Sequence, residues 1–124
     1  MHHDEAKLRE LCREWQGILG LTHWDIAVEV VRGVEIGDAR GRADISVADE
    51  QALIRIKDPV DHHGYFPYDM EQTLVHELLH VVLDAALEAG GVQYEQAIDR
   101  LARTMLAMDR AARAMGVLHR SEAQ

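Results

Sequence analysis

An α+β domain is what this sequence predicts: an N-terminal helix, a small, mainly antiparallel three-stranded sheet, and two further helices. Three observations predict it. Apolar residues recur with helical spacing towards both ends of the chain. Between positions 24 and 57 they alternate instead with polar residues in three short runs. No repeat, linker or low-complexity tract divides these segments, so the 124 residues are expected to form one domain, 1–124, around one modest core.

The elements follow in order. Residues 5–19 carry a stripe of Leu8, Leu11, Cys12, Trp15, Ile18 and Leu19, and Gly20 is placed to stop the helix. "WDIAVEVV" sets Trp24, Ile26, Val28 and Val30 against Asp25, Ala27 and Glu29, a strand with one buried face. Residues 33–41 hold three glycines and several charges and read as a loop. "ADISV" and "ALIRI" then alternate on either side of "ADEQ", as an antiparallel hairpin does. "KDPVDHHGYFPYD" (57–69) contains both prolines and no periodicity, and reads as a loop. Asp69 with Gln72 resembles a capping box that opens a helix, which Gly90 and Gly91 end. That helix is apolar nearly all round, as a buried helix is. The last helix, 94–115, is expected to turn Ile98, Leu101, Ala102, Met105, Leu106 and Met108 inward.

Composition narrows the function classes. Hydrophobic residues make up 48%, enough to exclude disorder, while aromatics at 5% leave the core to Leu, Ile, Val, Ala and Met. A net charge of −9 argues against nucleic acid as partner, because phosphate binding needs a basic surface. Such acidity is compatible with a cationic substrate but is more commonly a solubility feature. Cys12 is the sole cysteine, so no internal disulfide forms, and its place on the apolar stripe is that of a small buried hydrophobe. "MHHDEAKLRE" carries no apolar leader, and no run approaches the roughly 20 apolar residues of a membrane span, so a cytoplasmic location away from membranes is expected. No feature of the sequence specifies an oligomeric state.

One stretch carries chemistry. In "TLVHELLHVVLD", His76, Glu77 and His80 form H-E-x-x-H. Residues four apart on a helix share a face, so both imidazoles can address one zinc ion, with Glu77 on the adjoining flank as a base rather than a ligand. The surroundings sharpen this reading. Leu74, Val75, Leu78, Leu79, Val81, Val82 and Leu83 flank the motif, and polar groups buried unpaired among them would cost about 1–3 kcal/mol each. A metal gives the imidazoles a partner. Asp84 cannot join both histidines, because about 12 Å of helix rise separates it from His76. The extended pattern H-E-x-x-H-x-x-G-x-x-H would need Gly at 83 and His at 86, where the chain has Leu83 and Ala86. Ala86 equally rules against the endonucleases of ribosomal-RNA maturation. Glu95 at the start of the last helix is the leading third ligand, with His62, His63 and His119 as rivals. Asp99, one turn on, can accept from a ligand histidine and fix its tautomer, or can simply pair with Arg103.

"HELLH" followed by the E-x-x-x-D of "EQAID" resembles the gluzincin group of zinc metallopeptidases. The order of elements resembles a minimal zincin-like domain over nearly the whole chain. The likeness is greatest to small metallopeptidases of phage and bacterial genomes, which share a "W-x-I-x-V" first strand. The resemblance implies a zinc (Zn2+) site of His76, His80 and Glu95, with Glu77 as catalytic base. This chain departs from the large gluzincins in a shorter gap between His80 and Glu95, and is expected to do without their additional C-terminal domain. The implied activity is hydrolysis of a peptide or protein substrate by a metal-activated water, with Glu77 moving the proton. Tyr94, Tyr65, Tyr68, His62, His63 and His119 are the candidates for stabilising the oxyanion. By the same resemblance, strand 52–57 is expected to be the edge that pairs with an extended peptide. Two alternatives stand beside a general peptidase: a non-catalytic, zinc-stabilised regulatory or interaction module, and a peptidase that cuts one regulator.

Overall fold

A computed structural model of the chain describes residues 1–65, 67–84 and 92–116. The elements are α1 (Glu5–Leu19), β1 (Asp25–Val31), a one-turn α2 (Gly33–Ile36), β2 (Gly41–Ser46), β3 (Gln51–Lys57), α3 (Met70–Asp84) and α4 (Val92–Ala114). A short 3-10 turn, Pro59–Asp61, lies in the loop that leads to α3. The class is α+β with a three-stranded sheet, as expected. Among the described residues, no helix is long and apolar enough to cross a membrane.

α1 starts where Asp4 accepts a hydrogen bond from the Lys7 N–H at 2.8 Å and stops at Gly20. The left-handed φ of 73° at Gly20 is one a side chain would resist. Leu8, Leu11, Cys12 and Trp15 are buried as the stripe predicts, but Ile18 is exposed. Burial pushes the Cys12 thiol up to about 11, so it packs as a hydrophobe.

The sheet is mixed rather than mainly antiparallel. β2 and β3 form the expected antiparallel pair, with Ala43 opposite Ile54, while β1 runs parallel to β3, with Val28 opposite Ile54. The strand order β1-β3-β2 therefore puts β3 in the centre. This corrects the expectation that 52–57 is an edge: both of its sides are already paired. Composition explains the exchange. Ala52, Ile54, Ile56 and even Lys57 are buried on β3, whereas Arg42 and Asp44 on β2 remain in solvent, as charges on edge strands do. Segment 33–41 is not all loop either, since α2 buries Ile36 within it.

One face of the sheet is covered by α1 and α3, whose Leu8, Trp15, Leu74, Val75 and Leu78 join Val28, Ile54 and Ile56 in a single core. α4 packs along α3 through Ile98, Ala102 and Leu106, while Leu101 and Met108 of its predicted inward face are exposed. The predicted Asp69 cap is present, its carboxylate accepting from the Gln72 N–H at 3.2 Å. The glycines expected to end α3 lie outside the described residues.

A polar clamp binds three helices together. Arg110 of α4 donates to both oxygens of Asp69, at 2.9 and 3.3 Å, and to Glu71 at 3.0 Å. The other oxygen of Glu71 accepts from the Trp15 indole of α1 at 2.8 Å. Glu71 is 3% exposed, so it is costly to leave without its cation. Arg110→Met, which keeps the apolar stem, is expected to lower unfolding free energy by about 2–4 kcal/mol. Urea denaturation of parent and variant measures this, and Arg110→Lys should recover only part of the loss, because the ammonium lacks the planar fork.

Candidate metal centre

His76 and His80 stand one turn apart on α3 and present the same ring nitrogen to one carboxylate oxygen. His76 Nε2 is 3.2 Å from Glu95 Oε1 of α4, and His80 Nε2 is 3.1 Å from the same atom. The two rings lie 5.1 Å apart at 59°. Among the described residues, these three form the group whose ligand atoms lie close enough together to hold a metal ion. His62 and His63 do not join it, and His119 lies outside the described residues.

The other imidazole nitrogens face carboxylates. His76 Nδ1 is 3.6 Å from Asp99 Oδ1, and His80 Nδ1 is 4.0 Å from Asp84 Oδ1. These are ion-pair separations rather than hydrogen bonds. Of the two roles foreseen for Asp99, the pairing with Arg103 is present at 3.2 Å, while a hydrogen bond from His76 is not formed at this separation. Sequence reasoning missed Asp84: it is too far along the helix to join both histidines on one ion, yet one turn beyond His80 is where an orienting carboxylate belongs.

Glu77 is 7% exposed. Its carboxyl is pushed up to about 8, first by burial and then by the charge of Glu95, with Arg42 pulling it down. An ordinary carboxylate has thus become a group that can take and release a proton near neutrality.

The centre opens into a cleft of about 480 Å³ lined by α3, α4 and β2. Residues 39–43 all line it, although successive strand residues point to opposite faces; the cleft therefore runs along the β2 edge. Gly41 makes that close approach possible. A Cβ at this position would sit 2.6 Å from Thr73 Cγ2, 3.2 Å from the Arg55 carbonyl oxygen and 3.3 Å from Glu77 Cγ.

The oxyanion candidates fare differently. Tyr68 is buried, and its hydroxyl donates to the Lys57 carbonyl at 2.7 Å; burial pushes the phenol well above its ordinary range. The His62 ring stacks on Tyr68 at 5.0 Å, and Tyr65 is wholly exposed. None of Tyr65, Tyr68, His62 and His63 lines the cleft. The Tyr94 side chain and His119 lie outside the described residues. Arg40 and Arg42, which line it, were not singled out from sequence. Compared with known proteins, the chain matches no family model, no curated protein and no solved structure.

Gly41→Ala is expected to destabilise the fold by about 1–3 kcal/mol through overpacking. Thr73→Ser removes the methyl that the new Cβ meets at 2.6 Å and keeps the hydroxyl. Combined with Gly41→Ala, it should therefore recover stability. A double-mutant cycle by chemical denaturation reads the coupling, and strict additivity would show that the contact is not the cause.

Proposed function

We propose that this chain is a zinc-dependent, zincin-like metallopeptidase whose metal is held by His76, His80 and Glu95. The convergence of two imidazole Nε2 atoms on one Glu95 oxygen carries the reading. Atoms bound about 2.0–2.1 Å from one tetrahedral ion stand about 3.3 Å apart, and the separations of 3.1 and 3.2 Å fit that arrangement. Two nitrogens and one carboxylate oxygen would be the donor set of a catalytic rather than a structural zinc.

Zinc in such a site lowers the pKa of a water and polarises a carbonyl. The chain's own residues supply the rest. Glu77, adjoining the ligand pair and buried, takes the water's proton and passes it to the departing amine nitrogen. Asp99 and Asp84 stand behind the imidazoles, 3.6 and 4.0 Å from their Nδ1 atoms, where a small approach would let them accept from the rings and orient them. β2 is the edge strand beside the cleft, and an extended peptide laid along it would add a fourth strand through main-chain hydrogen bonds. A second reading, a zinc-stabilised interaction module without turnover, is favoured by one observation. None of the four described tyrosine and histidine candidates for oxyanion stabilisation reaches the cleft.

Elemental analysis tests the metal, and peptide cleavage tests the chemistry. One zinc per chain is expected in the parent and a clear loss in Glu95→Ala. Glu77→Gln should keep its zinc and lose about 100-fold or more in turnover. Full zinc in Glu95→Ala would sink the ligand assignment, and a parent that holds zinc but cleaves no peptide would favour the module.

A further inference from the structure

The cleft has an acidic side and a basic side. Glu77, Asp84, Glu95 and Asp99 line it on the α3 and α4 side together with the two histidines, and Arg40 and Arg42 line it from the β2 side. In a chain of net charge −9, positive charge is scarce and mostly spoken for. Arg9, Arg32, Arg55, Arg103, Arg110 and Arg113 each hold a carboxylate within 3.2 Å. Arg40 and Arg42 hold none among the described residues. Arg13 and Arg100 likewise lack one, but neither lines the cleft.

Arg42 is also placed at a cost. It lies directly opposite Arg55 across the β2–β3 ladder, and like charges in that relation repel. Arg55 is neutralised by Asp44 at 2.9 Å and by Glu29 at 4.0 Å, which leaves Arg42 without a carboxylate of its own. Arg40 is anchored through its backbone: its carbonyl accepts from the Lys57 N–H at 2.8 Å and from the Tyr68 hydroxyl at 3.2 Å. Its guanidinium is thereby kept at the basic side while remaining exposed.

We propose that Arg42 and Arg40 form an anion-binding subsite, so that the cleft selects a peptide carrying a carboxylate beside the reacting bond. The inference deepens the peptidase reading and rests on it. A guanidinium fork suits a carboxylate, which it can hold with two parallel hydrogen bonds. The same chemistry comes from two sources, an Asp or Glu side chain or the chain's own C-terminus. Because the protein is acidic overall, selection must arise at short range in the cleft rather than from long-range attraction.

Binding can be read without turnover in the Glu77→Gln protein with zinc present. The probes are fluorescein-labelled peptides of one sequence that differ only in a central Glu, Gln or Lys, each with a free or amidated C-terminus. The Glu peptide is expected to bind about tenfold more tightly than the Gln peptide, and the Lys peptide most weakly. Adding Arg42→Gln or Arg40→Gln should bring the Glu-to-Gln ratio towards one and leave the affinity for the Gln peptide unchanged. A preference that follows the free C-terminus, and is lost in the same variants, supports the subsite and assigns its carboxylate to the chain end. Equal binding of all peptides overturns the proposal, as does absence of binding. A Glu preference that survives both arginine substitutions belongs to the metal and overturns it too. Cleavage by the unsubstituted protein, followed by mass spectrometry, separates the two readings. Arginine-dependent preference without cleavage removes the peptidase and keeps the anion subsite, while cleavage without that preference does the reverse.

Discussion

The antiparallel docking of α4 along α3 is the constraint on which the site depends. Glu95 is half exposed and belongs to a different helix from the histidines, so nothing local to α4 places it against them. Its position is set from the far end. Arg110, about 22 Å along α4 by helix rise, is clamped to Asp69 and Glu71 at the start of α3. Between these ends Ile98, Ala102 and Leu106 form an apolar seam at helical spacing. A slip of one turn would move Glu95 by about 5.4 Å and take its carboxylate away from both imidazoles.

The two ends of this helix pair solve one problem differently. Buried or half-buried carboxylates need a cation, and at the clamp the chain provides one in Arg110, with the Trp15 indole as a further donor. At the other end Glu77, Asp84, Glu95 and Asp99 share the cleft with two imidazoles and two arginines. No arginine reaches Glu95 among the described residues. The Glu77 carboxyl is displaced upwards to about 8, first by its burial and then by the charge of Glu95. The crowding is electrostatic, and a cation held by His76, His80 and Glu95 would relieve it.

Much of this arrangement was legible because it is periodic. The spacing of His76 and His80, the helical stripes, and the hairpin of β2 and β3 are all local patterns. Glu95 could be ranked first only because a helix start with a carboxylate one turn before another has a recognisable use at metal sites. What stayed hidden was non-local. Alternation identifies β1 as a strand but does not state which strand it pairs with, so the parallel β1–β3 ladder and the central place of β3 were not foreseeable. Ile18, Leu101 and Met108 belong to apolar stripes wider than the surfaces that cover them. Tyr68 lies in an aperiodic loop whose burial no pattern announces. Arg42 looks in sequence like a charge that guards a strand edge, and only the cleft beside that edge gives it another use.

Composition and placement also account for why the cleft opens along β2 rather than β3. A central strand has both its hydrogen-bonding sides occupied, so β3 can offer a peptide nothing. β2 keeps one side free of β3, and Gly41 lets that strand lie against Thr73 and Glu77 without a side chain between. Exposed strand edges invite unwanted pairing, and proteins commonly blunt them with charge. Here the charges on β2 are Arg42 and Asp44, and Asp44 is drawn inward to Arg55, which leaves a positive edge facing an acidic cleft. The same residue can thus discourage a second copy of the strand and favour a segment of complementary charge. Protection of the edge and the selection proposed for the cleft would then be one electrostatic property of β2.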